Sequence, residues 1–222
     1  MFQCPLCNQF SATQVICHQC WPLITKLFKQ ARYCRHCGQR ILNGLICVSC
    51  SFSPTAIDYF WASCYYRPPL TQLLQRWKFQ SKLQYSTILS KIMLANPPHW
   101  IKSSQLENIL AMPTTTSSYA SRLFNPSLEL TRGILKHYSI RLISTNLITK
   151  CNLLPQHQLS QKARMSNLQG AFKLHATLNS PSILIIDDVA TTLATLNELA
   201  KLLQQTQVTT VYAWVLAQSE NS

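Results

Sequence analysis

Ser182-Ile183-Leu184-Ile185-Ile186-Asp187-Asp188-Val189-Ala190-Thr191-Thr192-Leu193-Ala194-Thr195 is the stretch from which the fold can be read. Behind Pro181, Ser182–Ile186 is a short apolar run without polar alternation, the pattern of a strand buried on both faces of a parallel sheet. Two aspartates stand at its end. A loop of small residues and threonines then leads into a helix expected over about 195–204, and Val208–Leu216 reads as another apolar strand. Strands that alternate with helices predict an α/β domain with a mostly parallel sheet.

In such sheets ligands bind at the carboxyl ends of strands, beside helix N-termini. Paired carboxylates there suit two ribose hydroxyls, or Mg2+ held through water. The loop adds backbone N–H groups and threonine hydroxyls at a helix start, which is an anion site. The candidate residues are therefore Asp187, Asp188, Ala190, Thr191, Thr192, Leu193, Ala194 and Thr195. The alternative is a threonine cluster that only caps the helix.

Upstream, residues 57–67 are aromatic and fit a strand, and Pro68-Pro69 stops it. Helices are expected at about 70–80 and 84–95. Glu107–Met112 reads as a short strand ending at Pro113, the Ser/Thr-rich 114–121 stretch as a loop, and 127–138 as a helix. Residues 140–148 alternate as a strand. The polar 150–170 segment, with Arg164, reads as a mobile loop leading into a short helix.

Ser51-Phe52-Ser53-Pro54 reads as a joint that divides residues 1–52 from 53–222. The first part holds four C-x-x-C pairs, Cys4/Cys7, Cys17/Cys20, Cys34/Cys37 and Cys47/Cys50, repeated at an offset of 30. Gln9 matches Gln39 and Ile16 matches Ile46 at the same offset. Asn8 and Gly38 match as well, each just after a pair, where a metal knuckle turns with positive φ. Two residues between thiolates let both sulfurs reach one tetrahedral ion. A unit this small cannot fold on its own core, so metal binding would supply the folding free energy. Short loop closure favours the sets Cys4/Cys7/Cys17/Cys20 and Cys34/Cys37/Cys47/Cys50 over interleaving. Two structural Zn2+ ions are expected, because four pairs in register argue against redox C-x-x-C motifs. His18 and His36 then read as surface residues, and Cys64 and Cys151 as ordinary buried thiols.

Composition bounds the function. A hydrophobic content of 47% and a mean hydropathy of +0.02 exclude a disordered chain. No apolar run is long enough for a transmembrane helix, and the N-terminus shows no leader pattern, so a cytoplasmic location is expected. Twenty Lys+Arg against seven Asp+Glu give +13, which two Zn(Cys)4 sites of −2 each would lower by four to +9. A balance this basic calls for a polyanionic partner. Residues 59–106 contain no Asp or Glu but do contain Arg76, Lys78 and Lys82, with Trp77 and Phe79 interleaved. Such a surface would track the phosphates of single-stranded DNA while an aromatic face stacks bases. The other reading puts the aromatics in the core and the cations on a solvated face.

D-D-V-x-T-T-x-x-T resembles the 5-phosphoribosyl-1-pyrophosphate (PRPP) loop of type I phosphoribosyltransferases. With the cysteine pairs in front, the chain is similar over nearly its full length to the ComF/GntX family of competence-associated, phosphoribosyltransferase-like proteins. Trp77-Lys78-Phe79, Arg122-x-Phe124-Asn125, Gln156-x-x-Leu159, Arg164, Asn167 and Ala171-Phe172 agree with this. The resemblance implies a type I phosphoribosyltransferase-like α/β fold behind a double zinc ribbon. It also implies that Asp187 and Asp188 hold ribose and that Thr191, Thr192 and Thr195 hold the 5-phosphate. The 113–121 segment would take the pyrophosphate, Arg164 would neutralise the leaving group, and Mg2+ would accompany PRPP. Two departures stand out. Leu193 replaces the glycine of T-T-G, and Arg122-Leu123-Phe124-Asn125-Pro126 replaces R-G-F-N-Q.

Three functions stay open. One is a competence factor near the inner membrane that handles single-stranded DNA in natural transformation. The second is an active phosphoribosyltransferase. The third is a zinc-ribbon module that recruits DNA-uptake or recombination proteins.

Overall fold

The apolar strand that carries the two aspartates, β8 (Ser182–Ala190), lies at the centre of a five-stranded sheet. The computed structural model describes residues 2–11, 16–30, 32–80, 83–151 and 170–219. The sheet order is β3 (Tyr59–Tyr65), β9 (Thr210–Gln218), β8, β4 (Asn108–Ala111) and β5 (Arg141–Leu142), and every neighbouring pair is parallel. The expected α/β class is borne out.

Alternation along the central strands sorts the side chains into two layers. Leu184, Ile186, Trp214 and Leu216 pack on one face with α3 (Leu70–Phe79), α4 (Gln84–Ala95) and α6 (Pro126–Ile134). Ile183, Ile185, Ala213 and Val215 pack on the other face with Leu196, Leu199 and Leu203 of α7 (Ala194–Gln204). In α3 the buried residues Leu70, Leu73, Leu74 and Trp77 follow helical spacing, so Trp77 is a core residue. Its Nε1 donates to Ser86 Oγ at 3.0 Å. A stacking role for Trp77 is thereby corrected; Phe79, by contrast, is 75% exposed.

Three expectations about local structure change. The Ser/Thr-rich 114–121 stretch is not all loop, because Thr115 Oγ1 accepts from Ser118 N and caps α5 (Thr116–Arg122). The alternation over 140–148 breaks after β5, where Ser144 caps a 3-10 turn over Thr145–Leu147. The chain then enters β6 (Ile148–Lys150), which pairs with β7 (Phe172–Leu174) outside the main sheet. β8 also runs on through Asp187 and Asp188 to Ala190, so the aspartates lie within the strand. Most of the 150–170 segment, including Arg164, falls outside the described residues, as does Lys82.

The N-terminal repeat is visible in the backbone. Cys4 N donates to Gln9 O and Asn8 N to Cys4 O at 2.9 and 2.8 Å; Cys34 N to Gln39 O and Gly38 N to Cys34 O are both 2.8 Å. Asn8 and Gly38 have φ of 61° and 69°, the turn expected of a metal knuckle. At Gly38 a Cβ would also lie 2.5 Å from the Phe60 ring, so glycine is required for space as well as for φ. Cys4, Cys17 and Cys20 join the core built on α3 and α4, whereas Cys34, Cys47 and Cys50 form a small cluster of their own.

Candidate functional site

The two cysteine sets expected from loop closure come together. Cys4, Cys7, Cys17 and Cys20 form one group, and Cys34, Cys37, Cys47 and Cys50 a second, with the sulfurs of each within 4.8 Å of one another. Cys7–Cys17 and Cys37–Cys47 sulfurs are both 3.6 Å apart. A Zn–S bond of about 2.3 Å gives a tetrahedral edge of about 3.8 Å, so both sets can hold a metal ion of that kind. Burial raises the Cys4 and Cys34 thiols, but backbone N–H donors outweigh it and hold them at about 6 and about 7. His18 is exposed, and His36 Nδ1 lies 2.7 Å from Ile57 O, so neither belongs to a set. Cys64 is fully buried, and burial pushes its thiol up to about 12.

The second site is a cavity of about 230 Å3 at the carboxyl end of β8. Asp187, Asp188, Ala190, Thr191, Thr192 and Thr195 all line it, together with Pro113–Thr115 of the segment after β4. Successive strand residues point to opposite faces, and Asp188 follows Leu184 and Ile186 toward α3. There Lys78 Nζ meets Asp188 Oδ2 at 2.7 Å, and both side chains are largely buried. Asp187 Oδ1 accepts from Ser127 Oγ at 2.8 Å and from Asp188 N at 2.9 Å. Burial, followed by the charge of Asp188, raises the Asp187 carboxyl from 3.8 to about 6. Lys150, at the end of β6, also lines the cavity; burial lowers its pKa, and the two aspartates oppose that.

The loop leaves β8 with its backbone tied down. Ser219 N donates to Ala190 O, and Ser219 Oγ to Thr191 O, both at 3.0 Å. Leu193 has φ −81°, a conformation open to any residue, and its side chain packs on the α7 core. The chain thus passes this point without the glycine of the related motif, and Ala194 starts the helix.

The 122–126 departure is absorbed in a similar way. Asn125 accepts from Ser127 N and Leu128 N, caps α6 and donates to Met112 O at 3.0 Å. Pro126 then takes the first helical position, where its missing N–H costs nothing. Leu123, however, sits in the left-handed region at φ 65°.

Of the cations proposed for nucleic acid, Arg76 Nη1 donates to Pro5 O at 2.7 Å and braces the first cysteine knuckle. Lys78 faces the carboxylates. The sequence placed Lys78 among the nucleic-acid cations and did not show its pairing with Asp188, although Leu70, Leu74 and Lys78 fall on one helix face at four-residue spacing. Lys150 and Ser127 were missed, and Asn125 was named only as part of the 122–126 stretch. Lys150 carries no local signal beyond being a single cation at the start of a polar stretch.

No family model matches the chain. It is 28% identical over 190 residues to the DNA utilization protein YhgH of Escherichia coli O6:H1, covering 84% of each chain. It is 28% identical over 227 aligned residues to Competence protein F of Haemophilus influenzae, covering 98% of this chain and 97% of the other. A crystal structure of a hypoxanthine phosphoribosyltransferase from Staphylococcus aureus is similar at TM-score 0.34 and 18% identity, over 61% of this chain and 64% of that one. The sequence relatives bear out the resemblance read from the cysteine pairs and the D-D-V-x-T-T motif. Among the described residues no helix is long and apolar enough to cross a membrane.

Proposed function

As a homologue of Competence protein F and YhgH over most of its length, the chain is, we propose, a cytoplasmic DNA-utilisation factor of the competence type. It contacts single-stranded DNA during uptake and carries a binding site for PRPP or a ribose 5-phosphate. One observation carries the phosphate reading: two carboxylates and three threonines converge on one cavity at the carboxyl end of the central parallel strand, just before a helix. In that cavity Asp187 Oδ2 takes a sugar hydroxyl, and Thr191, Thr192 and Thr195 with the α7 N-terminus take the phosphate. The two cysteine sets hold structural Zn2+, four thiolates to each ion and no open position.

The DNA reading rests on the names of the relatives, the +13 charge and the cavity rim. The exposed Phe79 ring lies 5.9 Å from the Arg122 guanidinium, itself part of the cavity wall. An exposed ring beside a cation suits base stacking and phosphate contact together. Base transfer from PRPP is a weaker reading, because Asp188 is already engaged by Lys78.

Thermal melts with ribose 5-phosphate and PRPP test the site. Both ligands should raise the Tm of the wild type and leave Thr191→Ala/Thr192→Ala unmoved. Equal stabilisation of the two proteins would remove the assignment.

A further inference from the structure

The carboxylate pair has a cation of its own. Lys78 Nζ is 2.7 Å from Asp188 Oδ2, with the side chains only 20% and 11% exposed. Asp187 Oδ1 is occupied by Ser127 Oγ and Asp188 N. Each carboxylate is thus already engaged by a different element, Asp187 by Ser127 of α6 and Asp188 by Lys78 of α3. A divalent ion directly bound between them would have to displace the ammonium and compete with both donors, so the residues present do not fit Mg2+ as a shared ligand.

We propose that Lys78 is the built-in counter-cation of Asp187 and Asp188, so that the cavity takes a sugar monophosphate without a divalent metal. The inference rests on the phosphate reading of the cavity and deepens it. Charge makes the case. The lining includes three cations, Lys78, Arg122 and Lys150, against two carboxylates. With Lys78 the wall is net positive before any ligand arrives. Without it the wall is neutral, and a phosphate dianion would meet two carboxylates with reduced compensation in a partly desolvated space, where like charges repel strongly. The neighbouring groups agree: Lys78 lowers the Asp187 carboxyl against burial and the Asp188 charge, so its ammonium is felt at both carboxylates. Lys78 is held in place by the core stripe of α3, with Trp77 beside it fully buried. A pinned ammonium also keeps two N–H donors for the ligand, which a hydrated ion would have to supply through water.

Calorimetric titration with ribose 5-phosphate tests this, in resin-treated buffer free of chelator and again with saturating Mg2+. The absence of chelator leaves thiolate-held metal in place. Wild type should bind with the same affinity in both buffers. Lys78→Met should bind roughly ten- to a hundredfold more weakly without Mg2+, the size of one charge-assisted hydrogen bond, and regain part of that when Mg2+ is added. Lys78→Arg should keep Mg2+-independent binding. Wild type that binds only with Mg2+ overturns the proposal and leaves the phosphate site standing; that arm needs no variant. Lys78→Met that binds like wild type in metal-free buffer also overturns it. No binding by wild type in either buffer overturns the phosphate site and this inference together.

Discussion

Gln218 donates from Nε2 to the carbonyl oxygen of Cys37 at 2.9 Å, joining the end of β9 to the knuckle of the second cysteine set. Its Oε1 accepts from Lys29 Nζ at 2.6 Å, and the same ammonium donates to Gly38 O at 2.7 Å. The next residue, Ser219, holds Ala190 and Thr191 of the loop that follows β8. Two consecutive residues therefore tie a cysteine knuckle to the loop between β8 and α7, and both walls face one groove of about 530 Å3.

The first prediction follows from that tie. Cys47→Ser with Cys50→Ser should halve the zinc content and raise amide exchange at Thr191–Leu193, because local order in a small metal unit depends on the ion. Ribose 5-phosphate binding should weaken in the same variant. Unchanged exchange in the loop would show that the second set does not support it.

A second prediction concerns Leu123. It ends α5 at φ 65° while 76% exposed, so it bears left-handed strain and buries little apolar surface in return. Glycine is the usual residue at such a helix end. Leu123→Gly should stabilise the protein by on the order of 0.5 kcal/mol, a left-handed penalty of about 1–2 kcal/mol less about 0.5–1 kcal/mol of added chain entropy. Denaturant unfolding measures it, and a loss of stability would contradict the strain argument.

Asp187 gives a pH signature. Its folded pKa of about 6 lies above the ordinary 3.8, so ionising it disfavours the folded state. Stability from this group is fullest below about pH 4, declines as pH rises toward about 6, and is then level. Asp187→Asn keeps an oxygen for Ser127 and Asp188 N and removes the titration. The variant should match wild type near about pH 4 and exceed it near about pH 7 by on the order of 2 kcal/mol. The difference between the two proteins cancels the pH response of the cysteine sets. An advantage that shrinks with rising pH would refute the assignment.

How much of this was legible depended on whether the signal was local. The cysteine repeat, the knuckle residues Asn8 and Gly38, and the apolar runs of β8 and β9 are local patterns, and each appears where expected. The α5 cap by Thr115 was hidden because threonines read as loop until a first turn forms beneath them. Lys78 and Lys150 were hidden for another reason: they reach the cavity of the aspartates only through tertiary packing, from α3 and from β6, which pairs with β7 outside the main sheet. Aromatic residues two apart on a helix face different ways, which is why Trp77 is core and Phe79 is surface.

That pair of aromatics supplies the last prediction. Trp77 is fully buried against Phe124 at a ring separation of 5.5 Å, so Trp77→Ala should destabilise by about 3–5 kcal/mol through the cavity it leaves. Phe79 is 75% exposed, so Phe79→Ala should change stability by no more than about 0.5 kcal/mol. If bases stack on the exposed ring, Phe79→Ala should weaken single-stranded DNA binding by about 1–3 kcal/mol. That loss should persist at every salt concentration, because stacking releases no counterions. Arg122→Gln should instead flatten the salt dependence, the mark of a lost phosphate contact. Fluorescence anisotropy with a labelled oligonucleotide across a salt series reads both effects. Binding that is unaltered in Phe79→Ala would move the DNA path away from the cavity rim.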